Sequence, residues 1–103
     1  MVNSPFKALS HPIRRQIVER LAAGPATVGE VTGDFGVSKP AISKHLKVLE
    51  ESGVVSRVVD GRKHVLSLRT ETLEEATDWM VRQREIWTRL FDVVEDHLKE
   101  EQR

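Results

Sequence analysis

The stretch V-S-K-P-A-I-S-K-H-L-K-V-L-E-E-S-G, from Val37 to Gly53, decides the fold. Ser38 is a good N-cap, Pro40 falls in a first turn where its missing N–H has no intrahelical partner to lose, and Ser52-Gly53 supplies the stop. Between those signals Ile42, Leu46 and Leu49 recur at i, i+4 and i+7, so they share a narrow arc of one helix and must face a core. The opposite arc holds Pro40, Ser43, Lys44 and Lys47, with Lys39 projecting from the first turn; it is small, hydroxylated and positive until Glu50 and Glu51 near the far end. Short side chains let a helix backbone come close to DNA, lysines neutralise phosphates, and a serine hydroxyl bonds a phosphate or a base edge. A solubilising face would also carry lysines, so the neighbours of this helix carry the decision. His45 lies toward the flank of the apolar arc, where a packed histidine and a DNA contact are both open readings.

Upstream, Ser10 and Pro12 predict a helix start, with Ile13, Ile17 and Leu21 on one face and an end at Gly24-Pro25. Thr27-Val28-Gly29-Glu30 fits the capping box T-x-x-E, and Val28, Val31 and Phe35 predict a short second helix before Gly36. Two short helices and a turn before the stretch quoted above spell helix-turn-helix. Downstream the period changes to that of strands. V-V-S-R-V-V-D-G-R-K-H-V-L-S-L places β-branched residues on both sides of Asp60-Gly61, a two-residue hairpin signal, with Leu66 and Leu68 on one face and Arg57, Arg62 and Lys63 near the tip. Thr72-Leu73-Glu74-Glu75 is read as another capping box, opening one uninterrupted helix of about 30 residues, or about 45 Å.

The 103 residues make one domain, long enough for a modest core and short for an enzyme with an enclosed pocket. The expected division is 10–53 for the helical core, 54–69 for the hairpin and 70–103 for the terminal helix. The apolar runs are far below the ~20 residues of a membrane span, and the first residues show neither a secretory h-region nor a transit pattern, so a soluble cytoplasmic protein is expected. The absence of cysteine removes disulfides, thiolate metal sites and a Cys nucleophile together. The net charge is zero but segregated: +3 over residues 1–23, −2 over 24–37, +4 over 38–69 and −5 over 70–103. A basic middle with an acidic tail is compatible with nucleic acid at one end and a different partner at the other.

A helix-turn-helix followed at once by a Gly-tipped basic hairpin is the arrangement of a winged helix. A-L-S-H-P-I-R-R-Q-I-V-E-R-L (Ala8–Leu21), S-K-P-A-I-S-K-H-L-K-V-L-E-E-S-G-V-V and D-G-R-K-H-V-L-S-L resemble the ArsR/SmtB family of bacterial winged-helix repressors over nearly the whole chain. The resemblance implies a mainly α, winged helix-turn-helix fold with a small β-hairpin, and a homodimeric regulator of transcription whose partner is double-stranded operator DNA. The third helix would lie in the major groove and the hairpin would serve as a wing. The residues expected to meet DNA are Ser38, Lys39, Pro40, Ser43, Lys44 and Lys47, with Ser43 and Lys44 first for base edges, and Arg62 and Lys63 for flanking backbone or minor groove.

Many members of that family release DNA on binding metal. The cysteine-based site would fall here on Thr27, Gly29 and Thr32, which offer no thiolate. A second familiar site pairs Asp-x-His with His-x-x-Glu; His97-Leu98-Lys99-Glu100 supplies its second half alone, and a histidine near a helix C-terminus also interacts favourably with the helix dipole. No metal or other cofactor is therefore expected, and the inducer is left unassigned. The terminal helix carries Leu73, Ala76, Met80, Trp87, Leu90 and Val94 at spacings of three, four and seven, broadened by Trp79, Ile86, Phe91, Val93 and Leu98. Such a stripe exceeds the needs of one small domain. Trp79, Ile86, Trp87, Leu90, Phe91 and Val94, with Phe6 and Leu9, are the expected homodimer interface. Neither a phosphate loop nor a nucleophile with a nearby base occurs, so no enzymatic activity is expected. Two alternatives remain: a winged helix that binds protein rather than DNA, and a metal-responsive repressor with a non-cysteine site.

Overall fold

The computed structural model describes residues 4–102. Its elements, in order, are α1 (Pro5–Ala8), α2 (Pro12–Ala22), β1 (Ala26–Thr27), α3 (Val28–Asp34), α4 (Lys39–Glu51), β2 (Val55–Asp60), β3 (Lys63–Leu68) and α5 (Thr70–Glu101). The chain divides after Leu73 into two compact units. The first holds every element through β3 and the start of α5.

Its core is built from the positions that periodicity marked. Ile17 and Leu21 of α2, Val31 of α3, Ile42, Leu46 and Leu49 of α4, and Leu66 of β3 are buried, with Val54 and Val55 at the entry to the sheet. Side chains of this size each contribute roughly 1.5–3 kcal/mol when fully removed from water. α4 is punctuated at both ends as the sequence indicates. The Ser38 hydroxyl accepts from the Ala41 N–H at 3.3 Å. At the other end Gly53 adopts φ +78°, the Gly53 N–H reaches the Glu50 carbonyl at 3.1 Å and the Val54 N–H the Leu49 carbonyl at 3.0 Å. This is the Schellman arrangement, completed by apolar contact at buried Leu49 and Val54, and it turns the chain from α4 into β2.

Four local expectations change. The second helix starts from His11 rather than Ser10: the His11 Nδ1 accepts from the Ile13 N–H at 3.1 Å, while the Ser10 hydroxyl donates to the Lys7 carbonyl and closes the separate helix α1. The hairpin is part of a three-stranded antiparallel sheet of order β1-β3-β2, because Ala26 and Thr27 pair with Leu66 and Val65. Asp60 pairs with Lys63, so the turn residues are Gly61 and Arg62, not Asp60 and Gly61; only Gly61 has positive φ, at +61°. That is the signature of a II′ turn, which needs glycine at its first central position alone. Finally, Thr72 is no cap, since α5 already begins at Thr70, directly after the Arg69 N–H is held by the Val54 carbonyl at 2.8 Å.

The second unit, from Glu74, is the remainder of α5. At 32 residues the whole helix is about 48 Å long. Beyond Ala76 none of its described residues is buried, and Trp87, Leu90, Phe91, Val93 and Val94 are 54–70% exposed. No helix of the described residues is long and apolar enough to cross a membrane.

Candidate nucleic-acid interface

α4 exposes the arc opposite its buried residues: Ser38, Lys39, Pro40, Ser43, Lys44 and Lys47 all lie on the surface. Lys39 and Ser43 form one wall of an open cleft of about 740 Å³. A second wall is the start of α3, with Thr27, Gly29, Glu30 and Thr32, and a third is the hairpin, with Arg57, Arg62, Lys63 and His64. The structure therefore brings Lys39, Ser43, Arg62 and Lys63 together around one depression. Ser38, Pro40, Lys44 and Lys47 lie on the same helix outside its lining.

The electrostatics of this surface follow from which charges are already paired. Glu30 is the one acid among the lining residues, and it is engaged: its Oε1 accepts from the Thr27 hydroxyl at 3.1 Å and its Oε2 lies 3.6 Å from Arg20, which also bonds Asp34 at 2.7 Å. The T-x-x-E motif thus caps α3, with the Glu30 N–H donating to the Thr27 hydroxyl oxygen at 3.1 Å. Lys39, Lys44, Arg62 and Lys63 form no ion pair with any described residue, whereas Lys47 stands 3.9 Å from Glu51. An exposed pair at that distance is weak, so the net field over the helix and the wing stays positive.

His45 is packed rather than presented. Its Nδ1 lies 3.3 Å from Arg14 Nη1, its ring is 4.4 Å from that of His11, and it is partly buried. Burial, followed by the charges of His11 and Arg14, pushes the His45 imidazole below its ordinary pKa. Arg14 also donates to the Ala8 and Lys7 carbonyls at 2.6 and 3.2 Å, so one guanidinium joins α1, α2 and α4 behind the exposed face.

Arg57 and His64 were not among the expected contacts. Arg57 was visible in the sequence as a basic hairpin residue; its partners, Glu50 at 2.6 Å and His64 at 3.2 Å, arise only from the fold. Of the expected dimer residues, Phe6 is exposed and Leu9 half-buried in the first unit. Trp79, Ile86, Trp87, Leu90, Phe91 and Val94 are exposed in the second, where Trp79, Met80, Trp87 and Phe91 line a shallow groove of about 430 Å³. His97 pairs with Glu101 at 3.0 Å, one residue beyond the Glu100 of the H-x-x-E pattern. Among the described residues no three His, Cys, Asp or Glu side chains cluster in a way that could hold a metal ion.

The model of the bacterial regulatory protein arsR family matches residues 11–57, which run from the α2 cap through α4 into β2. The transcriptional repressor SdpR of Bacillus subtilis (strain 168) is 39% identical over 80 residues, covering 78% of this chain and 89% of that one. A crystal structure of an ArsR family transcriptional regulator superposes with a TM-score of 0.75 at 35% identity, over 81% of this chain and 91% of the other. An ArsR-like transcriptional regulator from Rhodococcus sp. RHA1 superposes with a TM-score of 0.76 at 27% identity, over 86% and 84%.

Proposed function

The chain belongs to the ArsR family of bacterial regulatory proteins, and from that premise we propose that it is a sequence-specific, DNA-binding repressor of transcription, acting as a homodimer on an inverted-repeat operator. The observation that carries this reading is the cleft: α4 and the wing place unpaired Lys39, Arg62 and Lys63 around one surface, with Lys44 alongside and the single lining acid already engaged. α4 enters the major groove by its N-terminal half, where Ser43 and Lys44 reach base edges and Lys39, Pro40 and Lys47 lie along the backbone. Ser38 is occupied as the cap and positions the helix rather than reading bases. Arg62, at the II′ turn, and Lys63 meet flanking phosphates or the minor groove.

The second copy covers the apolar face of α5, with Trp79, Ile86, Trp87, Leu90, Phe91 and Val94 forming the interface and Phe6 and Leu9 contributing from α1. A two-fold dimer reads two half-sites about one helical turn apart, or a multiple of it. The protein works in the cytoplasm, as one domain, without metal and without catalytic activity. Repression is supported by the similarity to SdpR, a transcriptional repressor.

The test is to mix the purified chain with fragmented genomic DNA of its source at near-physiological salt and sequence what is retained. A few promoter fragments sharing an inverted repeat are expected, and Lys44→Glu is expected to abolish that enrichment while the dimer persists. Either of two results overturns the reading: retention of every fragment alike, which makes the basic face an unspecific phosphate binder, or retention of none, which makes it a protein-facing surface.

A further inference from the structure

Resting on the DNA-binding reading, we propose that Glu50, Arg57 and His64 form one linkage that sets the wing against the reading helix. In it Arg57 is the positioning residue and the His64 Nε2–H is a DNA contact that Arg57 aims. The linkage spans three elements. Arg57, on β2, donates from Nε to Oε1 of Glu50 on α4 at 2.6 Å, and its Nη1 lies 3.2 Å from Nδ1 of His64 on β3. A guanidinium has only donors, so His64 Nδ1 must be the acceptor and the ring proton of neutral His64 sits on Nε2. Nε2 is on the side of the ring away from Arg57, and His64 lines the cleft with Lys39, Ser43, Arg62 and Lys63.

The strand register explains why this linkage is needed. Arg57 pairs with Leu66 and Val59 with His64, so Arg57 and His64 are diagonal neighbours on one sheet face. β1 supports β3 only at Val65 and Leu66. From Val59 to His64 the hairpin is an unsupported two-stranded ribbon. Its tip stands about 13 Å beyond Arg57, so a 10° swing moves Arg62 by about 2 Å, more than a hydrogen bond tolerates. The Glu50–Arg57 bridge, with both side chains about 70% covered, fixes the guanidinium, which through its contact with His64 in the ribbon opposes that swing. It also explains an acid on the helix that carries the reading face. By its charge alone Glu50 would repel DNA; held by Arg57, it anchors the wing.

That opposition of signs provides the experiment. Affinity for the duplex recovered from genomic DNA, and for a mixed-sequence duplex, is measured by fluorescence anisotropy across a salt series for the native chain, Glu50→Gln, Arg57→Lys and His64→Ala. Charge alone predicts tighter binding by Glu50→Gln; the linkage predicts binding about tenfold weaker. The dependence on salt should be retained, because no phosphate-binding cation has been removed. Arg57→Lys, which lacks the two separate nitrogens that meet Glu50 and His64, and His64→Ala should weaken binding to the recovered duplex, with the double variant Glu50→Gln/His64→Ala no worse than twice the weaker single. Binding by Glu50→Gln equal to or tighter than native, with an unchanged thermal midpoint, overturns the linkage. Unchanged binding by exposed His64→Ala overturns its role as a contact even if Glu50→Gln fails to fold. A native chain that binds neither duplex overturns the DNA-binding reading itself.

Discussion

Replacing Lys44 by Gln removes one positive charge from the middle of the exposed α4 face without touching the core or the cap. Five cations per protomer face outward from the reading helix and wing, Lys39, Lys44, Lys47, Arg62 and Lys63, so a two-fold dimer presents about ten. If each displaces condensed counterions, Lys44 by lying in the groove between the two phosphate backbones while it reaches a base edge, counterion release sets a slope of log affinity against log salt near −9. Lys44→Gln takes two of them from the dimer and should flatten the slope by about 1.8. Between 0.05 and 0.20 M salt the native protein then loses about 12-fold more affinity than the variant. Lys47→Gln should flatten the slope less, since Glu51 at 3.9 Å already offsets part of the Lys47 charge. The assay is fluorescence anisotropy on a fixed duplex at four or five salt concentrations, with sedimentation confirming the dimer. A slope identical to native for Lys44→Gln would refute the placement of Lys44 inside the groove.

Three further outcomes are expected. Trp87→Ala, at a side chain 62% exposed in the single chain, should leave secondary structure intact, shift the protein to monomer in sedimentation and weaken operator binding through loss of the second half-site; a dimer of native affinity would place the interface elsewhere. His45 is held below its ordinary pKa, so the folded chain takes up fewer protons than the unfolded one as pH falls; the stability tied to that group is present above about 6.5 and is lost as pH drops toward the lowered value. Urea melts at pH 7.5 and 5.5 should therefore show a larger acid loss for native protein than for His45→Gln, and parallel losses would exclude the group. Gly53→Ala must hold an L side chain at φ +78°, with its Cβ 3.4 Å from Thr72 Oγ1, and should cost about 1–2 kcal/mol in chemical denaturation; a change within error would mean that the turn relaxes.

Much of the fold and part of the site can be read from residues near one another in the chain. The Ser38 cap, the Thr27–Glu30 capping motif, the Gly53 stop and the buried row Ile42, Leu46 and Leu49 are governed by interactions within about one helical turn, or by a periodicity the helix itself imposes. Hence the helix-turn-helix, the hairpin and the exposed cationic arc of α4 were legible in the sequence alone. The placement of a cap or a turn was less so, because Ser10 beside His11, and Asp60 beside Gly61, each offer two adjacent solutions of similar local energy. The closing of α1 by Ser10 and the pairing of Asp60 with Lys63 chose between them.

Tertiary structure alone decided how segments far apart in sequence share one surface. Ala26 and Thr27 joined the sheet because β3, about forty residues later, presented a free edge. His45 turned inward because Arg14 and His11 from α2 and its cap met it there, which no wheel drawn for α4 contains. Arg57, seven residues from both Glu50 and His64, became the tie between helix and wing only when the chain reversed twice around Gly53 and Gly61. Short-range preferences determine what each segment is; which side chains meet across segments depends on the packing of all of them at once, and that information lies in no single stretch.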